Sequence, residues 1–258
     1  MNDAWKSTGG LDASRIQAAI FDMDGVLVDS EPLHERAYRD IFAEMGCADT
    51  HGIDFVSYYG RSDWTLWTDF IERHRPAQPI EELLAWKQRH YLELLRREKP
   101  VIPDDIGLAQ QLHARFPLAL ASGSLHPVIQ EVFHLAPVLR SLFQAVVSVQ
   151  DVPHGKPAPD VFLRAASLLG VPPAACCVIE DAPAGVEAAR AAGMAVIAIT
   201  NSLPPERLAR ATRVVSRYSE IADLLLGPGR GGDSRFRPPA ELRRSEEHTS
   251  ELQSHSGI

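Results

Sequence analysis

The stretch RIQAAIFDMDG, residues 15–25, combines the pattern of a buried strand with two acidic residues at its end. Residues 15–21 are short and largely apolar, which predicts a strand, and Gly25 permits the sharp turn that follows it. Asp22 and Asp24 stand directly after the predicted strand. In open α/β sheets ligands bind beyond the carboxyl ends of the strands, so this acidic pair is the first candidate site.

A parallel sheet is predicted by the part of the chain that follows residue 100, where short apolar segments alternate with helical ones. The apolar segments, which we predict to be strands, are 118–121 (LALA), 145–149 (AVVSV), 176–179 (CCVI) and 195–199 (AVIAI). The helical patterns are 127–135, 160–169 and 184–192. Apolar strands separated by helices are typical of a parallel sheet covered on both faces.

A helical insertion is predicted between the first and second strands. Residues 32–45 and 80–98 both place apolar residues at helical spacing. Because residues 32–100 show no strand pattern, we expect them to form a separate cap. The predicted fold class is α/β, with a parallel sheet core of residues 11–31 and 101–226 and an inserted helical cap of residues 32–100.

The C-terminal residues 227–258 depart from this pattern. Residues 227–239 (GPGRGGDSRFRPP) contain too few apolar side chains to pack, so 227–258 is predicted to be a disordered tail. Residues 244–255 (RSEEHTSELQSH) resemble the translation of a common DNA-sequencing adapter. We therefore expect that they are foreign to the natural protein, whose own C-terminus has been lost or replaced, and exclude their Glu and His residues as ligands.

Composition narrows the classes of function. The 258 residues are 45% hydrophobic and 23% charged, which is an ordinary globular balance. The formal net charge of -8 gives no global basic footprint for nucleic acid. The chain shows no secretory signal and no apolar run of about 20 residues, so we predict a cytoplasmic protein without membrane contact. Cys47, Cys176 and Cys177 lack CxxC spacing and are interpreted as inert thiols.

Asp22 and Asp24 have the chemistry that phosphoryl transfer needs. Two nearby carboxylates repel unless a cation or proton relieves them, and Mg²⁺ prefers oxygen ligands. An aspartate can also attack phosphorus to form an acyl-phosphate, which divides one difficult displacement into two easier ones. The pair is a weak signal by itself, because a solvated turn often contains two aspartates.

Three further sets of candidates follow predicted strands. Ser122 and Gly123 could bind a phosphate through a hydroxyl and backbone N–H groups, or could cap a helix. Lys156 could neutralise charge on a transferring phosphoryl group, or lie on the surface. Glu180 and Asp181 could complete a metal site, or cap a helix. The order of nucleophile, hydroxyl, lysine and acidic pair, each at a strand end, favours one joint site.

Four segments resemble the sequence motifs of the haloacid dehalogenase-like hydrolase superfamily, and more closely those of its phosphatase and β-phosphoglucomutase-like subfamily. They are FDMDGVLVDSEPLH (21–34), LALASGS (118–124), GKPAPDVF (155–162) and VIEDAPAGVEAARAAGM (178–194). The resemblance extends over about residues 17–226. It implies a Rossmann-like core with a helical cap inserted after the first strand, in agreement with the pattern of apolar residues.

The resemblance also implies a role for each candidate. Asp22 is expected to be the nucleophile and a Mg²⁺ ligand. Asp24 is expected to be the general acid and base, with its backbone carbonyl on the metal. Lys156 is expected to stabilise the nucleophile and the transition-state charge. The remaining roles are phosphate binding by Ser122 and Gly123, and completion of the Mg²⁺ site by Asp181 with Glu180, directly or through water.

The predicted function is hydrolysis of a small phosphorylated metabolite, a sugar or polyol phosphate, by a monomeric Mg²⁺-dependent phosphatase. Asp24 argues against dehalogenases and phosphonatases, which lack an aspartate at that position. A β-phosphoglucomutase-like isomerase is the first alternative. The mutases carry a cap arginine where Asp63 stands and a lysine where Leu125 and His126 stand, although Arg61 could substitute. A non-catalytic binding module, the second alternative, predicts damage to the site, and the candidate residues are intact.

The cap is expected to select the substrate, since the core residues recognise only phosphate. The candidate cap residues are His34, Arg61 and Trp64, with Tyr58, Tyr59 and Trp67 as further aromatic candidates. Trp64 and Trp67 lie three residues apart, on one predicted helical face. Packing inside the cap is therefore the favoured interpretation for both tryptophans.

Overall fold

A six-stranded, all-parallel sheet forms the centre of the molecule. The computed structural model describes residues 11–101 and 103–228, with backbone alone for residues 103–105. The strands are β1 (Ala18–Phe21), β2 (Leu118–Ser122), β3 (Ala145–Ser148), β4 (Cys176–Glu180), β5 (Ala195–Ile199) and β6 (Arg213–Val215). Their order is β3-β2-β1-β4-β5-β6, which is the doubly wound Rossmann order. The α/β fold class is confirmed.

Nine α-helices lie within the described residues. They are α1 (Glu31–Glu44), α2 (Asp63–His74), α3 (Ile80–Glu98), α4 (Pro103–His113), α5 (His126–Leu135), α6 (Pro137–Leu142), α7 (Asp160–Leu169), α8 (Pro183–Ala191) and α9 (Tyr218–Leu226). Residues 31–98, all of them described, contain α1 to α3 and no strand. The predicted helices 80–98 and 160–169 have the observed bounds. The domain boundaries at 31–32 and 100–101 stay predictions.

Both faces of the sheet are buried, which explains why its strands read as continuous apolar runs. Successive side chains of a strand point to opposite faces. Ala18 and Ile20 of β1 join the cluster covered by α7 and α8, whereas Ala19 and Phe21 join the one that includes residues of α4, α5 and α9. The sheet is therefore the middle layer of three.

The helices of residues 31–98 enclose a hydrophobic cluster of their own. Its buried members are Tyr38, Ile41, Phe42, Ile53, Phe55, Leu66, Trp67, Phe70 and Leu83. Trp67 is fully buried, but Trp64 is 52% exposed, so the prediction that both tryptophans pack inside the cap is wrong for Trp64. Three residues turn a helix by about 300°, and the buried stripe of α2 follows Leu66, Trp67 and Phe70 instead.

Strand β6 is the last strand of the sheet and lies at its edge. Strand β6 was not predicted, because it has three residues of which only Val215 is buried, and such an edge strand gives little apolar signal. The predicted tail 227–258 lies outside the described residues from 229 onward. In the part of the chain that the structure describes, no helix is long and apolar enough to cross a membrane.

Candidate functional site

The central strands bring the predicted site residues to one edge of the sheet. Strand β1 pairs with β2 on one side and β4 on the other, and Phe21 aligns with both Leu120 and Ile179. Asp22 therefore lies just beyond β1, between the ends of β2 and β4. The strand order reverses at β1 and β4, and ligands bind at such switch points in doubly wound sheets.

Lys156 connects the acidic residues of two strands. Its Nζ lies 2.8 Å from Asp22 Oδ1 and donates a hydrogen bond to Glu180 Oε1 at 2.7 Å. The three side chains are almost completely buried. Burial by itself would lower the pKa of Lys156, but the carboxylates of Asp22 and Glu180 raise it above its usual value. The amine therefore keeps its positive charge.

Asp22 lies in an environment that favours a bound cation. Burial, and after it the charges of Glu180, Asp24 and Asp181, raise the pKa of Asp22 well above its usual value, with Lys156 acting in the opposite direction. Asp22 Oδ1 forms an ion pair with Lys156 but accepts no hydrogen bond of good geometry. A second positive charge at this position would stabilise the ionised carboxylate that a nucleophile requires.

A Mg²⁺ ion fits the donor set at this position. Asp22, Glu180 and Asp181 each offer one oxygen, and these oxygens lie within 4.8 Å of one another. All three residues are buried, and burial together with Glu180 raises the pKa of Asp181 well above its usual value. Hard oxygen donors in a cluster of like charges are what Mg²⁺ binds. The group of acidic residues could therefore hold a metal ion.

Of these three residues, Glu180 has the carboxylate oxygens that are least free to bind a metal ion. Its Oε2 accepts hydrogen bonds from the backbone N–H groups of Asp181 and Ala182, both at 2.7 Å, while Oε1 accepts from Lys156. Gly185 is necessary for this arrangement, because a Cβ there would lie 1.6 Å from Glu180 Oε1. In this geometry Glu180 holds Lys156 and the start of α8, and Asp22 and Asp181 have more freedom to bind a cation.

Asp181 is held from the other side by the loops after β1 and β5. Ser202, which follows β5, donates a hydrogen bond to Asp181 Oδ2. Gly25 has φ +71°, and a Cβ there would lie 1.8 Å from the same oxygen. Two constraints thus require a glycine at position 25 of the DxDG sequence: its left-handed backbone and the close approach of Asp181.

Asp24 is surrounded by hydrogen-bond donors. Ser30 donates to Oδ1 at 2.6 Å and Ser124 donates to Oδ2 at 2.7 Å, while His34 Nε2 lies 3.4 Å from Oδ1. Burial would raise the pKa of Asp24, but the hydrogen bonds from His34 and from the two serine hydroxyls lower it below the usual value. The carboxylate is therefore ionised and fixed in orientation.

His34 connects Asp24 to an ion pair in the cap, between a buried Lys87 and a partly exposed Asp63. Lys87 Nζ lies 2.5 Å from His34 Nδ1 and 2.9 Å from each carboxylate oxygen of Asp63. Lys87 is 1% exposed, and Tyr38 donates a hydrogen bond to Asp63 at 2.6 Å. The ring of Tyr91 stacks on His34, with centroids 3.9 Å apart. Residues of α1, α2 and α3 thus meet the loop after β1 through one continuous set of contacts.

A cavity of about 430 Å³ lies between these helices and the sheet edge. This volume suits a small metabolite. The predicted residues that line it are Asp22, Asp24, Gly123 and Lys156 from the core, and His34, Tyr58, Tyr59, Arg61 and Trp64 from the cap. Ser122 is fully buried, and its hydroxyl lies 3.4 Å from Asp24 and accepts a hydrogen bond from Ser124 N–H. Trp67 is not among the lining residues.

The sequence interpretation missed several residues of this site. Lys87 had a readable signal, because it falls on the buried stripe of α3 between Leu83 and Tyr91, where a lysine is unusual. Ser124 lies in the same motif as Ser122, but nothing in the sequence indicates that it contacts Asp24. No sequence pattern marks Ser30 or Ser202, since their partners depend on how the loops fold.

Glu31 is a lining residue with a strongly altered acidity. It is partly exposed at the cavity wall, yet most of its surroundings are protein. Burial, and then the charge of Asp24, raise the pKa of Glu31 to about 8, with Lys87 acting in the opposite direction. Near neutral pH the folded protein therefore holds this carboxyl group mostly protonated.

We expect Glu31→Gln to stabilise the protein more at pH 8.5 than at pH 5. Between the ordinary pKa of 4.5 and about 8, the unfolded chain ionises Glu31 while the folded chain does not, so stability falls as pH rises. The glutamine variant should escape this loss, which we put on the order of 2 kcal/mol after allowing for partial exposure. Urea unfolding in EDTA measures the difference, and Glu81→Gln, at an exposed position, is the control. An equal effect at both pH values would contradict the assignment.

This chain is similar in sequence to a known protein family and to named phosphatases. The family model for haloacid dehalogenase-like hydrolases matches residues 16–193. Fructose-1-phosphate phosphatase YqaB of Escherichia coli K12 is 35% identical over 182 residues, 70% of this chain and 94% of that protein. Hexitol phosphatase B of the same strain is 34% identical over 202 residues, 72% of this chain and 84% of that protein.

A solved structure is similar over most of the described fold. The crystal structure of β-phosphoglucomutase from Clostridium difficile has a TM-score of 0.70 and 25% sequence identity, and the match covers 82% of this chain and 97% of that one. The chain belongs to the haloacid dehalogenase-like hydrolase family. The proteins similar to it include named phosphatases and, by structure, this β-phosphoglucomutase. The family resemblance that the four motifs carry is therefore confirmed.

Proposed function

We propose that this protein is a Mg²⁺-dependent phosphatase that hydrolyses a small phosphorylated sugar or polyol through an aspartyl-phosphate on Asp22. The observation that carries the proposal is the convergence of Asp22, Asp24 and Lys156 on one cavity of metabolite size. The relatives named as fructose-1-phosphate and hexitol phosphatases support the choice of substrate class.

Asp22 and Lys156 perform the first displacement in this proposal. A carboxylate oxygen of Asp22 forms a bond to phosphorus as the bond from phosphorus to the departing alcohol oxygen breaks. The ammonium group of Lys156, 2.8 Å from Asp22, stabilises the negative charge on the transferring group. The backbone N–H of Gly123, which lines the cavity, would bind a phosphoryl oxygen.

Asp24 moves the protons in both half-reactions. In the first, it protonates the alcohol that leaves; in the second, it accepts a proton from the water that attacks the aspartyl-phosphate. Its surroundings favour the carboxylate, which suits the second role directly. A bound phosphate ester brings negative charge next to Asp24 and so raises its pKa, which favours the protonated form that the first role needs.

The acidic residues beyond β1 and β4 would hold the metal ion. Asp22 and Asp181 would bind it through carboxylate oxygens and Asp24 through its backbone carbonyl, while Glu180 would act directly or through water. When bound, Mg²⁺ supplies positive charge that stabilises the ionised nucleophile and the oxygens of the transferring phosphoryl group.

The cap supports a phosphatase over a mutase. A mutase has to bind a second phosphate at the cap end of the cavity, which requires a cation there. Lys87 is already paired with Asp63, and Arg61 is exposed at the cavity wall. Asp63 stands where the mutases carry their cap arginine, so a second phosphate would depend on Arg61. The monomeric state and the cytoplasmic location stay predictions.

A phosphate-release screen tests the proposal. Protein is assayed with sugar, polyol and nucleotide monophosphates, with Mg²⁺ and with EDTA. We expect Mg²⁺-dependent release that is fastest with a hexose or hexitol phosphate. β-Glucose 1-phosphate with trace bisphosphate is included, and glucose 6-phosphate formed without phosphate release would replace the phosphatase by a mutase. A folded sample that yields neither product would favour a non-catalytic binding module.

A further inference from the structure

Asp63 lies at the far end of a row of partly buried polar contacts that begins at the loop after β1. The row runs from Asp24 through His34 and Lys87 to Asp63, with distances of 3.4, 2.5 and 2.9 Å between successive partners. It connects the loop after β1 with all three cap helices, because His34 is on α1, Lys87 on α3 and Asp63 on α2.

The contacts of Lys87 determine which nitrogen of His34 carries the proton. An ammonium group has protons to donate and no lone pair to accept with, so His34 Nδ1 must accept. The proton of the neutral ring then lies on Nε2, which faces Asp24. The group that contacts one ring nitrogen of a histidine thus determines whether the other nitrogen donates or accepts a hydrogen bond. This arrangement holds only while Lys87 keeps its charge and its position.

Asp63 holds the ammonium group of Lys87 next to His34 Nδ1. Both of its oxygens lie 2.9 Å from Lys87 Nζ, and no other carboxylate of the described residues forms an ion pair with this lysine. The rings of Tyr38 and Tyr91 lie 5.1 and 4.8 Å from the ammonium and stabilise it further. A buried ammonium without a carboxylate partner is strongly unfavourable, so removal of Asp63 should displace Lys87 from His34.

We propose that Asp63 is a positioning residue, which acts through Lys87 and His34 to present an N–H donor to Asp24. This inference rests on the proposed function, in which Asp24 moves the protons. It also accounts for an aspartate at the cap position where a phosphate-binding arginine would otherwise be expected. Asp63 lines the cavity, so a direct contact with substrate is the competing interpretation that the test has to separate.

Kinetics of Asp63→Asn separate the two interpretations. A positioning role predicts that kcat falls about 10- to 100-fold, the usual effect of removing a residue that orients a functional group, while KM changes less than about 3-fold. A rise in KM with kcat unchanged would overturn the proposal in favour of substrate contact. Glu72→Gln, which removes a negative charge from an exposed position of the same helix, is the control and should match the unchanged protein.

A second pair of variants keeps the test valid if Asp63→Asn does not fold. Lys87→Met removes the buried charge, so adding Asp63→Asn to it leaves no unpaired ammonium. If Asp63 acts through Lys87, the double variant should have the same kcat as Lys87→Met alone. A further loss of more than about 3-fold would show that Asp63 acts by another route.

The tautomer of His34 gives a readout that does not depend on activity. Nitrogen-15 NMR of the ring should show a proton on Nε2 and none on Nδ1 in the unchanged protein and in Glu72→Gln. In Asp63→Asn we expect a proton to appear on Nδ1. An unchanged His34 spectrum in a folded Asp63→Asn would overturn the proposal. Absence of phosphatase activity in the unchanged protein would instead count against the proposed function, and the NMR result would stand by itself.

Discussion

Asp22→Asn should reduce Mg²⁺-dependent phosphate release by at least about 10³-fold. The amide cannot form the acyl-phosphate, because it carries neither the negative charge nor the nucleophilic oxygen of the carboxylate. Asp22 is almost completely buried and lies 2.8 Å from Lys156, so the substitution removes the attacking carboxylate and leaves its ammonium partner in place. Initial rates with the best substrate of the screen measure the effect.

The control for this variant is Asp29→Asn, the same substitution at an exposed position of the same loop. It should keep its activity within about 2-fold. Beryllium fluoride supplies a second measurement, because it mimics a phosphoryl group on an aspartate. Fluorine NMR should detect the complex in the unchanged protein with Mg²⁺ and not in Asp22→Asn. A complex formed by the variant would refute the assignment of the nucleophile.

Lys156→Met should have the largest effect on stability, with a loss of about 3 kcal/mol or more in the free energy of unfolding. The substitution leaves the buried carboxylates of Asp22 and Glu180 without their shared cation. They must then ionise unpaired or take up protons, and either change costs free energy. Phosphate release should also fall by about 10²- to 10³-fold, because charge on the transferring group loses its nearest stabilising ammonium.

Urea unfolding with EDTA and with Mg²⁺ measures this second effect. Mg²⁺ should restore part of the lost stability in Lys156→Met, because it supplies positive charge to the same acidic cluster. Lys99→Met, at an exposed position after α3, is the matched control and should change stability by less than about 0.5 kcal/mol. Equal unfolding curves for Lys156→Met and the control would show that the acidic residues do not depend on this lysine.

Much of the core could be predicted because its signals are local. Each buried parallel strand is a short apolar run, and the helices between them repeat at 3.6 residues, so five of the six strands and the helical insertion were readable from pattern alone. The site residues of the core were readable for a related reason. Carboxyl ends of parallel strands meet at one edge, so Asp22, Ser122 and Glu180 had to lie near one another once the sheet was recognised.

The cap contributions depended on contacts between distant segments. Lys87 belongs to the site because it meets His34, 53 residues away, and Asp63, 24 residues away. Helical periodicity indicates which side of α3 is buried, but it does not specify the segment that packs against that side. Trp64 and Trp67 illustrate the same limit, since three-residue spacing placed them on one expected face and the packing of α2 separated them.

The sequence by itself determined the α/β class, the alternation of five of the six strands with helices, and the acidic, hydroxyl and lysine residues at the strand ends. These features follow from chain order and from local apolar patterns. Only the tertiary structure decided which side chains orient Asp24. It also decided that Glu180 accepts three hydrogen bonds and that Lys87 forms an ion pair with Asp63. The physical reason is that hydrogen bonds and ion pairs act over about 3 Å, and such proximity between distant residues arises only when the chain has folded.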